Sequence, residues 1–369
     1  MPRPRVRKFL RRAAAAIGLF ACAVIAALVF AVIHCRANPP VFPPTSAAAH
    51  SPPQAAGVAN YARDEVDTFY SYPEWYIVWS YQSKADYQRT HLPSDYSWFG
   101  DIAQYWQAYC RMYSATRATY PFATGDHIML LVIGSSFTAE YTLKGVYERT
   151  IGAISEASSD HQPVPDDMYA AQVAADYATF VHIRPFYEFS FAHALHGLWQ
   201  DSHLTTHHLV RTIERRAWLT LDYAVEAFYC EVIEIGTHAT YGYEDTTTAV
   251  WIDLPSAPLP KSAHVTRALP ANQTIVELPR YQEFTPAALA LIQSGARFHQ
   301  IAGNEIISIS VIAPQGWSNS IAGLETLIAQ PMLTSPGTRV VLLCRVSSLD
   351  SALPALQRQR VSIEHIYDY

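Results

Sequence analysis

Five of the chain's 15 histidines fall close together: His193, His196, His203, His207 and His208. His193 and His196 stand at i, i+3, and His203 and His207 at i, i+4, so on helical turns each pair projects from one face. Imidazoles that share a face can ligate a transition metal, and a carboxylate such as Glu188 or Glu226 completes the set. A haem iron is held by the same rings. The pattern predicts a metal or haem site built from His193, His196, His203, His207 and Glu226. It would serve an enzyme centred on residues 182–238 and acting on an apolar substrate. A cofactor-free enzyme would instead use Glu188 with His193. The competing reading is a group of packed and capping histidines near a helix junction.

Charges in apolar surroundings form a second group. Glu74 lies among Tyr72, Trp75 and Tyr76, and Arg184 and Glu188 flank Pro185-Phe186-Tyr187. A buried carboxylate needs a partner, so Glu74, Arg184 and Glu188 are expected to form a structural ion pair. Lys144 is one of four lysines in the chain; with Glu140 and Glu148 it makes the i, i+4, i+8 pattern of an exposed helix face. Aromatic residues are the third group. Residues 61–120 hold 17 Phe, Trp or Tyr, among them Trp75, Trp79, Trp98 and Trp106. Such density fits a membrane-interface belt, a wall for a lipid-like, quinone or sugar ligand, or a tyrosine-rich core with satisfied hydroxyls.

Several chemistries have no signature: no phosphate loop, no GxGxxG, no HExxH and no GxSxG elbow. Cysteines show no CxxC pairing, and Cys110, Cys230 and Cys344 read as three buried thiols. The run His203-x-x-x-His207-His208 is similar to one histidine box of membrane desaturases and hydroxylases. Those enzymes use several boxes among multiple transmembrane helices, and this chain has one.

The elements that must position these groups follow from composition. Half of the 369 residues are hydrophobic and 16% are charged, which excludes a disordered chain. Residues 1–37 carry seven basic and no acidic side chains; removing them from a net charge of −6 leaves −13 on residues 38–369. An acidic body is repelled by nucleic acid. Ala13 to Ile33 is 21 residues without a charge, enough to span roughly 30 Å of hydrocarbon. It is longer than the apolar region of a cleaved secretory signal, the rival reading. The basic tail 1–12 before it orients the N-terminus to the cytoplasm and residues 34–369 outside, the arrangement of a signal-anchor protein of a bacterial inner membrane. A proline-rich linker follows over 34–59, a semi-rigid spacer.

Three- and four-residue apolar spacing makes residues 60–245 a mainly helical domain. Helices are expected from Asp101, over Ile128–Tyr147, from Asp166 to Val181, to Trp199, and over Thr205–Thr237. On the last, Ala217, Leu221, Ala224, Phe228 and Val232 share one side and Arg211, Arg215, Asp222 and Glu226 the other. That charged stripe reads as the solvated face. Residues 246–272, rich in Pro and Thr, read as a connector, and no internal repeat is evident. Beyond it, strands at Thr274–Leu278, Arg297–Ala302, Glu305–Ile312, Arg339–Val346 and Val361–Tyr367 alternate with helices at Pro286–Gln293, Ile321–Ala329 and Ser351–Gln359. This order predicts a small ferredoxin-like α+β domain over 273–369.

Three segments, Tyr72-Pro73-Glu74-Trp75-Tyr76-Ile77-Val78, Gly125-Asp126-His127-Ile128-Met129-Leu130-Leu131 and His182-Ile183-Arg184-Pro185-Phe186-Tyr187-Glu188-Phe189, resemble those of an uncharacterised family of bacterial membrane-anchored proteins. The resemblance covers most of residues 60–369. It implies a bacterial membrane context and no particular activity. The expectation is a single-pass, membrane-anchored extracytoplasmic protein that binds or scaffolds at the bilayer, with a lipid-like ligand or a protein partner.

Overall fold

The computed structural model describes Cys35 and residues 62–200, 208–240 and 246–369. The basic tail, the apolar segment 13–33 and, Cys35 apart, the proline-rich stretch lie outside the described residues, as do His203 and His207. Among the described residues no helix is long and apolar enough to cross a membrane.

The described residues between 62 and 240 form seven α-helices: α1 (Asp67–Gln88), α2 (Trp98–Thr116), α3 (Thr124–Tyr147), α4 (Ala153–Ala157), α5 (Pro165–Val181), α6 (Phe191–Gln200) and α7 (Leu209–Thr240). α1 is buried on most of its circumference, from Phe69 through Ala85, so it lacks the one-sided period by which helices announce themselves. α2 keeps the predicted spacing, burying Tyr105, Tyr109, Met112 and Tyr113 on one side. The aromatic run is a core whose hydroxyls are satisfied. Tyr76 donates to Asp101 and Gln104, both at 2.9 Å, Tyr96 donates to Asp101, and Tyr105 donates to the Leu130 carbonyl.

Cys35 forms a disulfide with Cys110 on α2, closing 75 residues of chain. Cys110 is therefore not the free thiol its spacing predicts. Cys230 and Cys344 are free and buried.

From Thr247 the chain is α+β, with two four-stranded antiparallel sheets. The first comprises β1 (Thr247–Asp253), β2 (His264–Leu269), β3 (Gln273–Pro279) and, after helix α8 (Phe284–Gln293), β4 (Arg297–Ile301), in the order β2-β3-β1-β4. The second comprises β5 (Ile306–Ala313), β6 (Leu324–Pro331), β7 (Thr338–Arg345) and, after helix α9 (Leu349–Arg358), β8 (Ser362–Ile366), in the order β6-β7-β5-β8. The topology is the same βββαβ unit twice. The 3₁₀ turn, helix and last strand begin at 281, 284 and 297 in the first unit and at 346, 349 and 362 in the second, a constant step of 65 residues. Even the helix exits correspond: Gly295 and Arg360 both hold positive φ, and the next residues, Ala296 and Val361, donate to Leu291 and Leu356, both at 3.1 Å.

This architecture corrects the ferredoxin-like prediction, which needs two helices on one sheet. Two local misreadings produced it. The connector 246–272 holds all of β1 and β2. Residues 324–331 are a strand, but a bulge between Thr326 and Ile328 breaks its two-residue alternation and buries Leu324, Leu327 and Ile328. That i, i+3, i+4 spacing imitates a helix.

Each unit completes the other. α8 packs against β8 and α9 against β4. The Ile366 amide donates to Thr285 on α8 at 2.9 Å, and Arg280 pairs with Asp368 at 2.8 Å. The second sheet docks on the helical body. The Ser308 amide donates to Thr68 at 2.9 Å, and Gln104 and Gln330 bond across the seam. The His365 ring lies 4.0 Å from that of Trp75.

Candidate functional site: a charged cavity behind helix α7

α3 and α7 run antiparallel and side by side. Tyr147 stacks on Trp218 at 3.6 Å, Lys144 reaches Glu226 at 2.9 Å, and Tyr229 bonds Ser136 at 3.2 Å. The charged stripe of α7, read from sequence as solvated, is turned inward. Arg211, Arg215 and Arg216 are buried, while Leu221, Val225 and Phe228 are more than half exposed.

Two ionic groups occupy the inward side. In the first, Arg211, fully buried, bonds Asp167 at 2.7 Å, Glu156 at 3.4 Å, Glu214 at 3.1 Å and Ser155 at 2.8 Å. Arg215 bonds Glu148 at 2.6 Å and is ion-paired with Asp167 at 2.9 Å, and Arg216 holds Asp166 through two nitrogens at 2.7 and 2.9 Å. These bidentate and shared contacts give the buried guanidinium groups their countercharge, while Arg215 Nε and Glu148 Oε2 make no hydrogen bond. Glu148 opens a π-helical turn, Glu148–Gly152, that links α3 to α4. A side chain at Gly152 would meet Glu148 Oε2 at 2.6 Å, so the glycine makes room for the carboxylate.

In the second group Lys144 Nζ is held by Glu140 at 2.9 Å, Asp222 at 3.1 Å and Glu226 at 2.9 Å. Burial opposes its charge, but the three carboxylates hold its pKa well above the usual lysine range. Glu140 is pushed up by burial and more strongly down by Lys144 and Lys84, for a net decrease. Burial dominates at Glu226 and raises it.

Lys84 differs from Lys144. It is buried and, among the described residues, its amine meets no acceptor; it lies over the rings of Tyr81, Tyr141 and Trp98 at 5.2, 5.6 and 5.8 Å. Burial and the Lys144 charge lower its pKa. Both lysines line a cavity of about 60 Å³ with Glu140, Glu148, Asp222 and Glu226. That volume holds a few water-sized groups, since one such group needs roughly 10–15 Å³. It is too small for a lipid or a sugar. What the cavity offers is a set of carboxyls and amines whose proton affinities are pushed apart at short range.

The predicted metal site does not assemble in what is described. His193 and His196 are exposed on α6, and His196 contacts Gln200 at 3.2 Å. Glu226 is engaged by Lys144. Among the described residues no group of three His, Cys, Asp or Glu side chains can hold a metal ion. Glu188 pairs with Arg184 at 3.5 Å, with side-chain exposures of 40% and 64%, so this is a surface pair and not the buried one expected. Glu74 lies on α1, outside that pair; burial first, and the Glu74 charge as a lesser cause, raise the phenols of Tyr105 and Tyr369. The segment at the start of α3 places His127 between Tyr70 and Tyr109, at 3.2 and 3.0 Å, and burial lowers it to about 4.

Lys84 was missed by sequence analysis, and Lys144 was assigned to the surface. Scarcity was the available signal, since only four lysines occur and a chain so poor in them keeps few for solvation. Compared with family models, with curated proteins and with solved structures, the chain finds no match.

Proposed function

We propose that the chain is a single-pass membrane-anchored protein, with residues 13–33 crossing a bacterial inner membrane and residues 34–369 outside the cytoplasm. Its body binds or scaffolds at the bilayer surface, with a lipid-like ligand or a protein partner. The observation that carries this reading is the disulfide between Cys35 and Cys110. Disulfides persist in oxidising compartments and are rare in the cytosol, and Cys35 lies two residues beyond the apolar segment. The basic tail and the acidic body support the same orientation. So does the resemblance of three segments to a bacterial membrane-anchored family.

The test is topology in intact cells. Gln357 is exposed on α9. A Gln357→Cys variant treated with a membrane-impermeant maleimide is expected to label before lysis, and an Arg7→Cys variant only after it. Labelling of Gln357→Cys only after lysis would refute the extracytoplasmic body.

A further inference from the structure

Among the described residues, the outward side of α3 and α7 is a large surface whose chemistry the anchored reading leaves unused. On α3 every exposed position from Ile128 to Val146 is apolar, and on α7 every exposed position from Leu209 to Phe228 is apolar. Ile128, Val132 and Leu143 on one helix and Leu221, Val225 and Phe228 on the other are 53–69% exposed. Because the helices lie side by side, their stripes merge into one face. Its long edge, the 24 residues of α3, measures about 36 Å at roughly 1.5 Å per residue. The same helices keep Lys144, Arg211, Arg215 and Glu226 inside. A water-facing helix pair has the opposite polarity, and a contiguous apolar face of this kind marks an interaction surface.

The disulfide fixes what lies nearby. Cys110, bonded to Cys35, is on α2, and α2 packs on α3: Trp106 donates to Thr138 at 3.0 Å. The uncharged segment ends at Ile33, so its last residue is within about 7 Å of Cys35 at ~3.5 Å per residue. Under the anchored reading, the chain therefore enters the bilayer beside the helix layer that carries the apolar face.

We infer that the α3–α7 face is seated in the outer layer of the bilayer, as an interfacial amphipathic surface and not a span. The inference rests on the membrane-anchored reading. Hydrocarbon and glycerol-level lipid cover the face, and the inward ionic groups keep the polar sides of the two helices away from it.

The test uses the full chain, reconstituted in vesicles of phosphatidylcholine and phosphatidylglycerol. The vesicles carry a lipid with a photoactivatable diazirine in its acyl chain, and peptides are mapped by mass spectrometry. Adducts are expected on residues 13–33 and also within 128–146 and 209–228. Adducts on 13–33 alone would overturn the seating and leave the anchor standing. No adducts on 13–33 would remove the anchored reading itself. An adduct-free α7 that crosslinks to α7 of a second copy would overturn the seating in favour of a dimer. In Phe228→Asp the adducts on 209–228 are expected to fall at least fivefold, with the disulfide and the melting transition retained. If that variant does not fold, Phe228→Gln supplies the same comparison.

Discussion

Lys84 and Lys144 share a cavity and make opposite predictions. Lys144 neutralises three carboxylates with side-chain exposures below one fifth. Lys144→Met leaves them uncompensated and is expected to cost about 3–5 kcal/mol, read from urea unfolding. Lys84 compensates no carboxylate at bonding distance, so Lys84→Met is expected to stay within about 1 kcal/mol of the parent or to stabilise it. A large loss at both positions would mean that the amine of Lys84 has a charged role the aromatic cage does not reveal. His365 supplies one part of the pH dependence. Its ring is fully buried against Trp75, with both nitrogens unpaired, and burial and the nearby His182 lower it to about 3. The unfolded chain takes up this proton near its ordinary pKa of 6.5 and the folded one does not, so stability is lost as pH falls from about 6.5 towards 3. His365→Phe is expected to reduce that acid slope and to add about 1–2 kcal/mol near pH 6 by removing the unpaired nitrogens. Little of this was legible from residue types. A histidine between Glu364 and Ile366 gives no sign that it will lie beneath a tryptophan 290 positions earlier in the chain.

Element placement was legible where one side of an element meets one kind of environment. Helices α2 and α7 were expected from their period, α3 and α5 from the aspartates at their starts, and α6 by its end alone. Their orientation was not, because periodicity locates two faces without saying which is wet. On α7 the default assignment fails: Arg211, Arg215, Asp222 and Glu226 find partners on α3, α4 and α5, or on α7 itself. Arg211→Leu is expected to destabilise by about 3–5 kcal/mol, since Glu156 remains buried without its charge partner and Asp167 keeps only Arg215. Arg267→Leu, on an exposed position of β2, is expected to change little. Comparable losses at both sites would mean that the inward network contributes no more than a surface charge. β6 and the duplicated βββαβ unit stayed hidden for a different reason. The two copies share the lengths of the helix and the last strand and the 65-residue step, but Phe284–Gln293 and Leu349–Arg358 share few residues. A repeat of pattern without a repeat of letters is invisible to inspection of one sequence.

At the scale of the molecule, the two βββαβ units and the helical body share one hydrophobic core. They are expected to unfold together, with coincident transitions by near-UV and far-UV circular dichroism. Two separated transitions would show that the seam at Gln104 and Gln330 is weaker than the units it joins. The disulfide closes a 75-residue loop, so Cys110→Ser is expected to lower stability by up to about 4 kcal/mol. The same bond changes what the proline-rich stretch can do. Under the anchored reading, residues 36–59 sit inside a covalent ring, both ends of which are fastened to the body. A pull between body and membrane runs through two sulfur atoms, and the prolines carry no tension. Reduction would put those 24 residues into the line of force and pay out up to about 80 Å of leash at roughly 3.3 Å per residue. The reach of the body is then governed by the oxidation state of a single bond, and lengthening the proline stretch in the oxidised protein would leave it unchanged.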